Sequence, residues 1–372
     1  MEKNKSSQQI IKESNMKMVF GLIHKHQTIS RADIKKITAL SATTVSSLVE
    51  ELIEEGVVVE CGMKETKTIG RKAIMLKINS EGGFFIGLDV RKNCVSAALY
   101  GLDFSLIETI NLPLSNEKIS VLRIIRDIAQ LADGKRILGV TIGIPGIIDP
   151  KTNNIISSTV LAIEDVKEMV LKLKEAMPDV NVFIKNNSGL IALCEKEFGG
   201  YDNVSNLVSV DIYDGVGAGI LIDGVIYDGG GFAGEFGHIT LDLNGERCSC
   251  GSYGCLELYS SVPAILEKTK LSSLEELRLE LDRNDRKATS DLFEITRALA
   301  FGINNIVNLL DPEYIIIGGS VKVLGDVFLD MLKQHLSTIS VIKEKNIVFS
   351  SISENPVILG GVRYAFDMVF GM

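Results

Sequence analysis

The stretch Ala233-Gly234-Glu235-Phe236-Gly237-His238, followed by Cys248-Ser249-Cys250 and Gly254-Cys255-Leu256-Glu257, holds the most specific chemistry of the chain. His238, Cys248, Cys250 and Cys255 place one imidazole and three thiols within 18 residues, in a segment rich in glycine and polar side chains. Half of the six cysteines fall in this window, whereas Cys61, Cys94 and Cys194 stand singly and read as packing residues. Three thiolates and one imidazole form a closed tetrahedral set for Zn2+. All four positions come from the protein, so the metal is expected to be structural rather than catalytic.

Outward from this block the chain reads as α/β. Phe84–Val90 and Val95–Tyr100 pattern as an antiparallel strand pair, an amphipathic helix is expected near Ile119–Leu131, and the apolar strand Ile137–Ile144 ends in Pro145-Gly146. Leu207–Asp211 and Ala218–Asp223 flank Asp214-Gly215-Val216-Gly217 and repeat the earlier strand-turn-strand unit. Two such halves predict a two-lobed body with a cleft between them. Tyr314–Ile317 followed by Gly318-Gly319 reads as a strand ending in a tight turn.

The first 80 residues differ in character. A helix is expected from about Ile10 to Lys25, with Met16, Val19, Leu22 and Ile23 on one face. Ser30-Arg31-Ala32-Asp33 reads as a capping box opening a short helix that carries Ile34 and Ile37. Ser41 caps a third helix with Val45, Leu48, Leu52 and Ile53 as its apolar stripe, and Gly56 ends it. Short helix, turn, longer helix is the order of a helix-turn-helix. Ala42, Thr43, Thr44, Ser46 and Ser47 on the third helix are small or hydroxyl-bearing and suit close approach to base edges and phosphates. Val57–Glu60 and Ala73–Leu76 then form the arms of a wing whose tip carries Arg71 and Lys72. Those two residues, with Arg31, complete the predicted DNA-contacting set. The domain limits are expected at 1–80 for the winged helix and 84–372 for the body, joined by the linker Asn79–Gly83.

Charge agrees with this division. The whole chain carries a net −9, yet residues 1–80 hold 13 Lys/Arg against 9 Asp/Glu, leaving 26 against 39 in the remainder. A basic head on an acidic body is the asymmetry expected when only the head meets phosphate. No apolar run reaches the length of a membrane span, and the polar start Met1–Gln9 lacks a signal-peptide core. A reduced, cytoplasmic protein is expected, with cysteine usage that does not suggest a disulfide scaffold.

The Glu-x-Gly-His to Cys-Leu-Glu block closely resembles the ROK family (repressors, open reading frames and kinases). So do Pro145-Gly146-Ile147-Ile148-Asp149, Asn186-Asn187 with Glu195, and Ile317-Gly318-Gly319-Ser320. The similarity runs through essentially the whole chain, and the head matches only the repressor branch. The resemblance implies an actin-like, hexokinase-type (RNase H-like) fold of two lobes, with a monosaccharide between them and zinc bracing one wall. It places Asn186, Asn187, Glu235, His238 and Glu257 at the sugar. Carboxylates accept pairs of sugar hydroxyls, and a zinc-bound imidazole retains its second nitrogen for one more.

The departures from the kinase pattern are equally informative. Family kinases read Asn-Asp where this chain has Asn186-Asn187, and a carboxamide cannot take the proton of an attacking hydroxyl. The kinase phosphate loop Asp-x-Gly-Gly-Thr-Lys is here Asp89-Val90-Arg91-Lys92-Asn93-Cys94, whose side chains obstruct a phosphate. Tyr213-Asp214 replaces the Gly-Thr pair of the second loop. A non-enzymatic, sugar-responsive repressor is therefore expected, a homodimer or tetramer on a palindromic operator, answering to a monosaccharide or phosphosugar. Xylose, glucose and amino sugars all fit this reading. The rival expectations are a residual sugar kinase and a constitutive DNA-binding protein whose body only dimerises.

Overall fold

The computed structural model describes residues 7–63, 73–92, 94–113, 121–158, 161–339, 345–353 and 355–372, the side chains of Val121 and Leu122 excepted. The predicted wing tip with Arg71 and Lys72, and Ile119 at the start of the predicted helix, lie outside the described residues.

The head comprises α1 (Ser7–His26), β1 (Ile29–Ser30), α2 (Arg31–Thr38), α3 (Ala42–Glu54), β2 (Val58–Met63) and β3 (Ile74–Ile78). Its local chemistry follows the sequence. The Ser30 hydroxyl accepts from Asp33 N and donates to Asp33 Oδ2, while Ser41 Oγ accepts from Thr44 N, so both helices start on side-chain caps. The strands pair in the order β1-β3-β2, the sheet of a winged helix; the two-residue β1 is too short to show as a periodic pattern. Ile34 is fully buried as expected, but Ile37 is 53% exposed: the short α2 turns only one apolar position inward.

The body is two lobes of one topology. The first has β4 (Phe84–Val90), β5 (Cys94–Gly101), β6 (Leu106–Pro113), α4 (Val121–Ala132), β7 (Ile137–Ile144), the small hairpin β8 (Ile147–Asp149) and β9 (Asn154–Ser157), α5 (Ile163–Ala176) and β10 (Asn181–Asn186). α6 (Asn187–Phe198) leads into the second lobe: β11 (Leu207–Ile212), β12 (Val216–Ile222), β13 (Val225–Ile226), α7 (Glu257–Ser260), α8 (Val262–Thr269), α9 (Leu274–Asp282), α10 (Arg286–Leu310), β14 (Tyr314–Gly319), α11 (Asp326–Ile339) and β15 (Asn346–Phe349). α12 (Pro356–Phe370) returns to the first lobe. The large sheets run β10-β7-β4-β5-β6 and β13-β12-β11-β14-β15. Each opens with an antiparallel meander, adds one parallel strand beside its first strand and a second parallel strand beyond that one. The repeated strand-turn-strand units are thus equivalent halves, and the cleft lies where their turns face.

α6 packs against β12 and α12, and glycines make the approach possible. A Cβ on Gly219 would lie 1.9 Å from the Ser188 carbonyl oxygen, and one on Gly360 equally close to that of Leu190. Head and body share an apolar core in which Val19, Phe20 and Ile23 of α1 meet Phe85, Val362 and Phe366. The expected linker is a pinned turn: Asn79 Nδ2 donates to the Gly56 carbonyl and Arg136 Nη1 to that of Gly82. Among the described residues no helix is long and apolar enough to cross a membrane.

Candidate functional site

After β13 the chain leaves the sheet and lays a long loop across β12. Gly234, at φ +89°, has no room for a side chain: a Cβ there would lie 2.1 Å from the Ala218 carbonyl oxygen. Phe236, buried in the core of the second lobe, anchors the following 3-10 turn Phe236–His238. This fixes Glu235 and His238 on the cleft side. The loop then doubles back, with isolated bridges Thr240–Cys255 and Arg247–Tyr253 bringing the cysteines beneath the imidazole.

The four predicted metal ligands converge. One donor atom from each of His238, Cys248, Cys250 and Cys255 lies within 4.8 Å of the others. Cys248 Sγ is 3.7 Å from His238 Nδ1, and Cys250 Sγ is 3.7 Å from Cys255 Sγ. Two sulfurs bonded at about 2.3 Å to one tetrahedral ion stand this far apart. Burial pushes the Cys255 thiol up to about 12, so a cation is needed to hold this sulfur as thiolate. The donor set thus fits a closed four-coordinate site.

The polar wall is built on the same scaffold. His238 turns Nδ1 toward the cysteines and to within 3.4 Å of Glu257 Oε1, and it presents Nε2 3.9 Å from Glu235 Oε2. Cys248 Sγ donates to Glu257 Oε1 at 2.9 Å. Burial raises the Glu235 carboxyl above its ordinary range, opposed by His238. The Nδ1 edge of the imidazole thus meets the cysteines and Glu257, while its Nε2 edge faces Glu235, and the two half-buried carboxylates are able to accept hydroxyl hydrogens.

Asn186 and Asn187 begin α6. Asn186 caps it, accepting from Ser188 N at 2.8 Å, and donates Nδ2 to the Gly146 carbonyl at 2.9 Å. Asn187 donates Nδ2 to Asp89 Oδ1 at 3.2 Å. An ionised carboxylate only accepts, which fixes the amide orientation. Ser188 packs beside Gly217, and Gly215 sits next to Glu257, so β12 links the two groups. Sequence reasoning missed how the first-lobe turn is filled. Arg91 Nε bonds Asp89 Oδ2 at 2.7 Å, and its guanidinium lies 5.9 Å from the ring centroid of Tyr213 in the other lobe. Also unforeseen is the buried Asp211, raised to about 8 by desolvation and the neighbouring Glu195, against Ser209 and Lys322. An isolated Asp in an apolar strand gives no periodic signal.

In the head, Ala42, Thr43 and Ser47 of α3 are exposed, while Thr44 and Ser46 are half-buried. The Ser41, Thr43 and Thr44 hydroxyls form one cluster at the helix start. Arg31 is half-buried and paired with Glu60 Oε1 at 2.8 Å, at the base of the wing.

Comparison with known proteins agrees over the full length. The sequence model of the ROK family matches residues 85–362. The chain is 31% identical to the xylose repressor of Caldicellulosiruptor bescii, covering 94% of this chain and 95% of the relative. The crystal structure of a ROK family transcriptional regulator, a homologue of the E. coli MLC protein, superposes with TM-score 0.83 over 97% of each chain at 24% identity. A ROK hexokinase from Thermus thermophilus superposes with TM-score 0.64 at 22% identity, covering 78% of this chain and 100% of its own.

Proposed function

The chain belongs to the ROK family, and from that premise we propose that it is a sugar-responsive transcriptional repressor. Residues 1–80 bind operator DNA, and the cleft of residues 84–372 takes a monosaccharide or its phosphate. The observation carrying this reading is the pairing, in one chain, of a capped helix exposing Ala42, Thr43 and Ser47 with the cleft wall of Glu235, His238 and Glu257. Likeness to a xylose repressor along nearly the whole length favours a pentose such as xylose.

In this mechanism His238, Cys248, Cys250 and Cys255 would hold zinc as a structural ion, which would tie the loop ends together. Glu235 and Glu257 accept sugar hydroxyls, Nε2 of His238 adds a further polar contact, and Asn186 and Asn187 face them from the start of α6. Asn187 spends its amide hydrogen on Asp89 and cannot act as a base, and Arg91 fills the turn where a phosphate would lie. The protein therefore binds sugar without phosphorylating it. Closure of the lobes moves α6, whose far end meets the head through Phe198, Phe104 and His24. A cytoplasmic homodimer would set two α3 helices on a palindromic operator, and a change in their spacing of the kind worth ~1–3 kcal/mol suffices for regulation.

Isothermal titration with xylose, glucose and N-acetylglucosamine tests the pocket. Binding of one sugar that Glu235→Gln abolishes supports the reading. Sugar-dependent ADP release from ATP would instead establish the kinase reading.

A further inference from the structure

One residue before Asn186, Lys185 occupies a place where three parts of the molecule meet. It lies on β10, the edge strand of the first lobe. Its ammonium pairs with Asp228, which follows β13 in the second lobe, and the two side chains are only 12% and 24% exposed. The same ammonium lies 5.0 Å from the ring centroid of Tyr364 on α12, and that ring stands edge-on to Phe183 at 5.7 Å. Surface ion pairs contribute little, but a largely desolvated pair that also faces an aromatic ring is hard to replace with water.

Each partner leads to a different functional region. The Asp228 carbonyl accepts from Gly231 N at 2.7 Å and from Ala233 N at 3.4 Å, so it folds the loop that delivers Glu235. Gly231, at φ +102°, lets this loop lie directly on the Ile148 carbonyl. Lys185 adjoins Asn186, whose side chain bonds Gly146. Tyr364 stands beside Arg363, which pairs with Glu197 and Asp367, and two residues before Phe366, the centre of the aromatic contact with the head. Lys185 and Asp228 also line a cavity of about 280 Å3 together with Asn186, Ala233 and Tyr364, so movement of the loop has space to occur.

We infer that Lys185 is a positioning residue: its clasp on Asp228 and Tyr364 ties the loop bearing Glu235 to α12, and so couples sugar occupancy to the head. The inference rests on the sugar reading above. Without the clasp the loop can still bind sugar, but its movement no longer draws on α12.

The test uses the full-length protein and a fluorescent operator, with xylose as the first sugar tried and glucose and N-acetylglucosamine after it, measuring affinity without sugar, the sugar concentration for half-release, and thermal stability. Lys185→Met is expected to raise that concentration by ~10-fold while sugar-free operator affinity stays within about twofold. Asp228→Asn, which keeps the shape, should reproduce the shift if Lys185→Met folds poorly. Lys185→Arg should retain most of the response, and the double variant should be no worse than the weaker single one. Lower melting temperatures with an unmoved sugar threshold would overturn the inference, as would additive single effects. A wild-type protein that no sugar releases would overturn the sugar reading and the clasp with it; a responsive wild type matched by Lys185→Met would overturn the clasp alone.

Discussion

The two ends of α6 are made of different chemistry. At its start the half-buried Asn186 and Asn187 bond through single amide hydrogens to the Gly146 carbonyl and the buried Asp89. At its end Glu197 grips Arg363 at 2.6 Å, and Phe198 meets Phe104 edge-on in a cluster of edge-on, tilted and stacked rings with His24, Phe366, Phe20 and Phe370. A few single hydrogen bonds can be exchanged for a ligand's one at a time, whereas close-packed rings move only together. In the proposed mechanism one end senses and the other transmits, and the 12-residue helix joins them.

The largest expected effect breaks the sensing side. Cys255→Ser or exhaustive chelation should remove bound zinc, cost several kcal/mol in urea unfolding because metal binding is folding free energy, and abolish sugar binding; metal analysis beside the unfolding curve checks this. Next, Phe366→Ala at the transmitting end should cost ~3–5 kcal/mol and weaken operator binding more than sugar binding, read by paired titrations. Glu197→Gln, which leaves Arg363 with Asp367 alone, should cost ~1–3 kcal/mol.

Opposite pH dependences should distinguish His24 in the head contact from Asp211 in the second lobe. Burial and Arg363 lower His24 from 6.5 to about 4. The unfolded chain then binds the extra proton first, so the contribution of His24 is present above 6.5 and is lost as pH falls toward 4. Asp211 is raised from 3.8 to about 8; its contribution is fully present below 3.8 and is lost as pH rises toward 8. His24→Phe should therefore remove a loss of stability on acidification from 6.5 toward 4, and Asp211→Asn a loss on raising pH from 3.8 toward 8, as measured by urea midpoints across the range. Smallest of all, Ser41→Ala should cost ~1 kcal/mol by uncapping α3 without changing the sugar threshold.

Much of this was legible in the sequence where chemistry is local. Ser30 and Ser41 announce their helices, the alternating runs give both lobes, and the spacing of His238 with three cysteines gives the metal cluster because all four ligands lie in one loop. Contacts across long separations were not legible. Lys185 and Asp228 are 43 residues apart, and Arg91 meets Tyr213 only because two equivalent turns face each other. Asn79–Gly83, polar and glycine-rich, reads as a free linker, but Arg136 and Gly56 pin it. Ile37 looked like core because periodicity cannot tell how much of an eight-residue helix is covered.

The most direct test of the central claim is fluorescence anisotropy of the full-length protein on DNA from its own upstream region, titrated with monosaccharides and their phosphates. Tight, sequence-specific binding released by one sugar, with release lost in Glu235→Gln but DNA affinity kept, is the predicted result. Specific binding that no sugar alters would contradict the coupling of cleft to head, and absence of specific binding would contradict the repressor assignment itself.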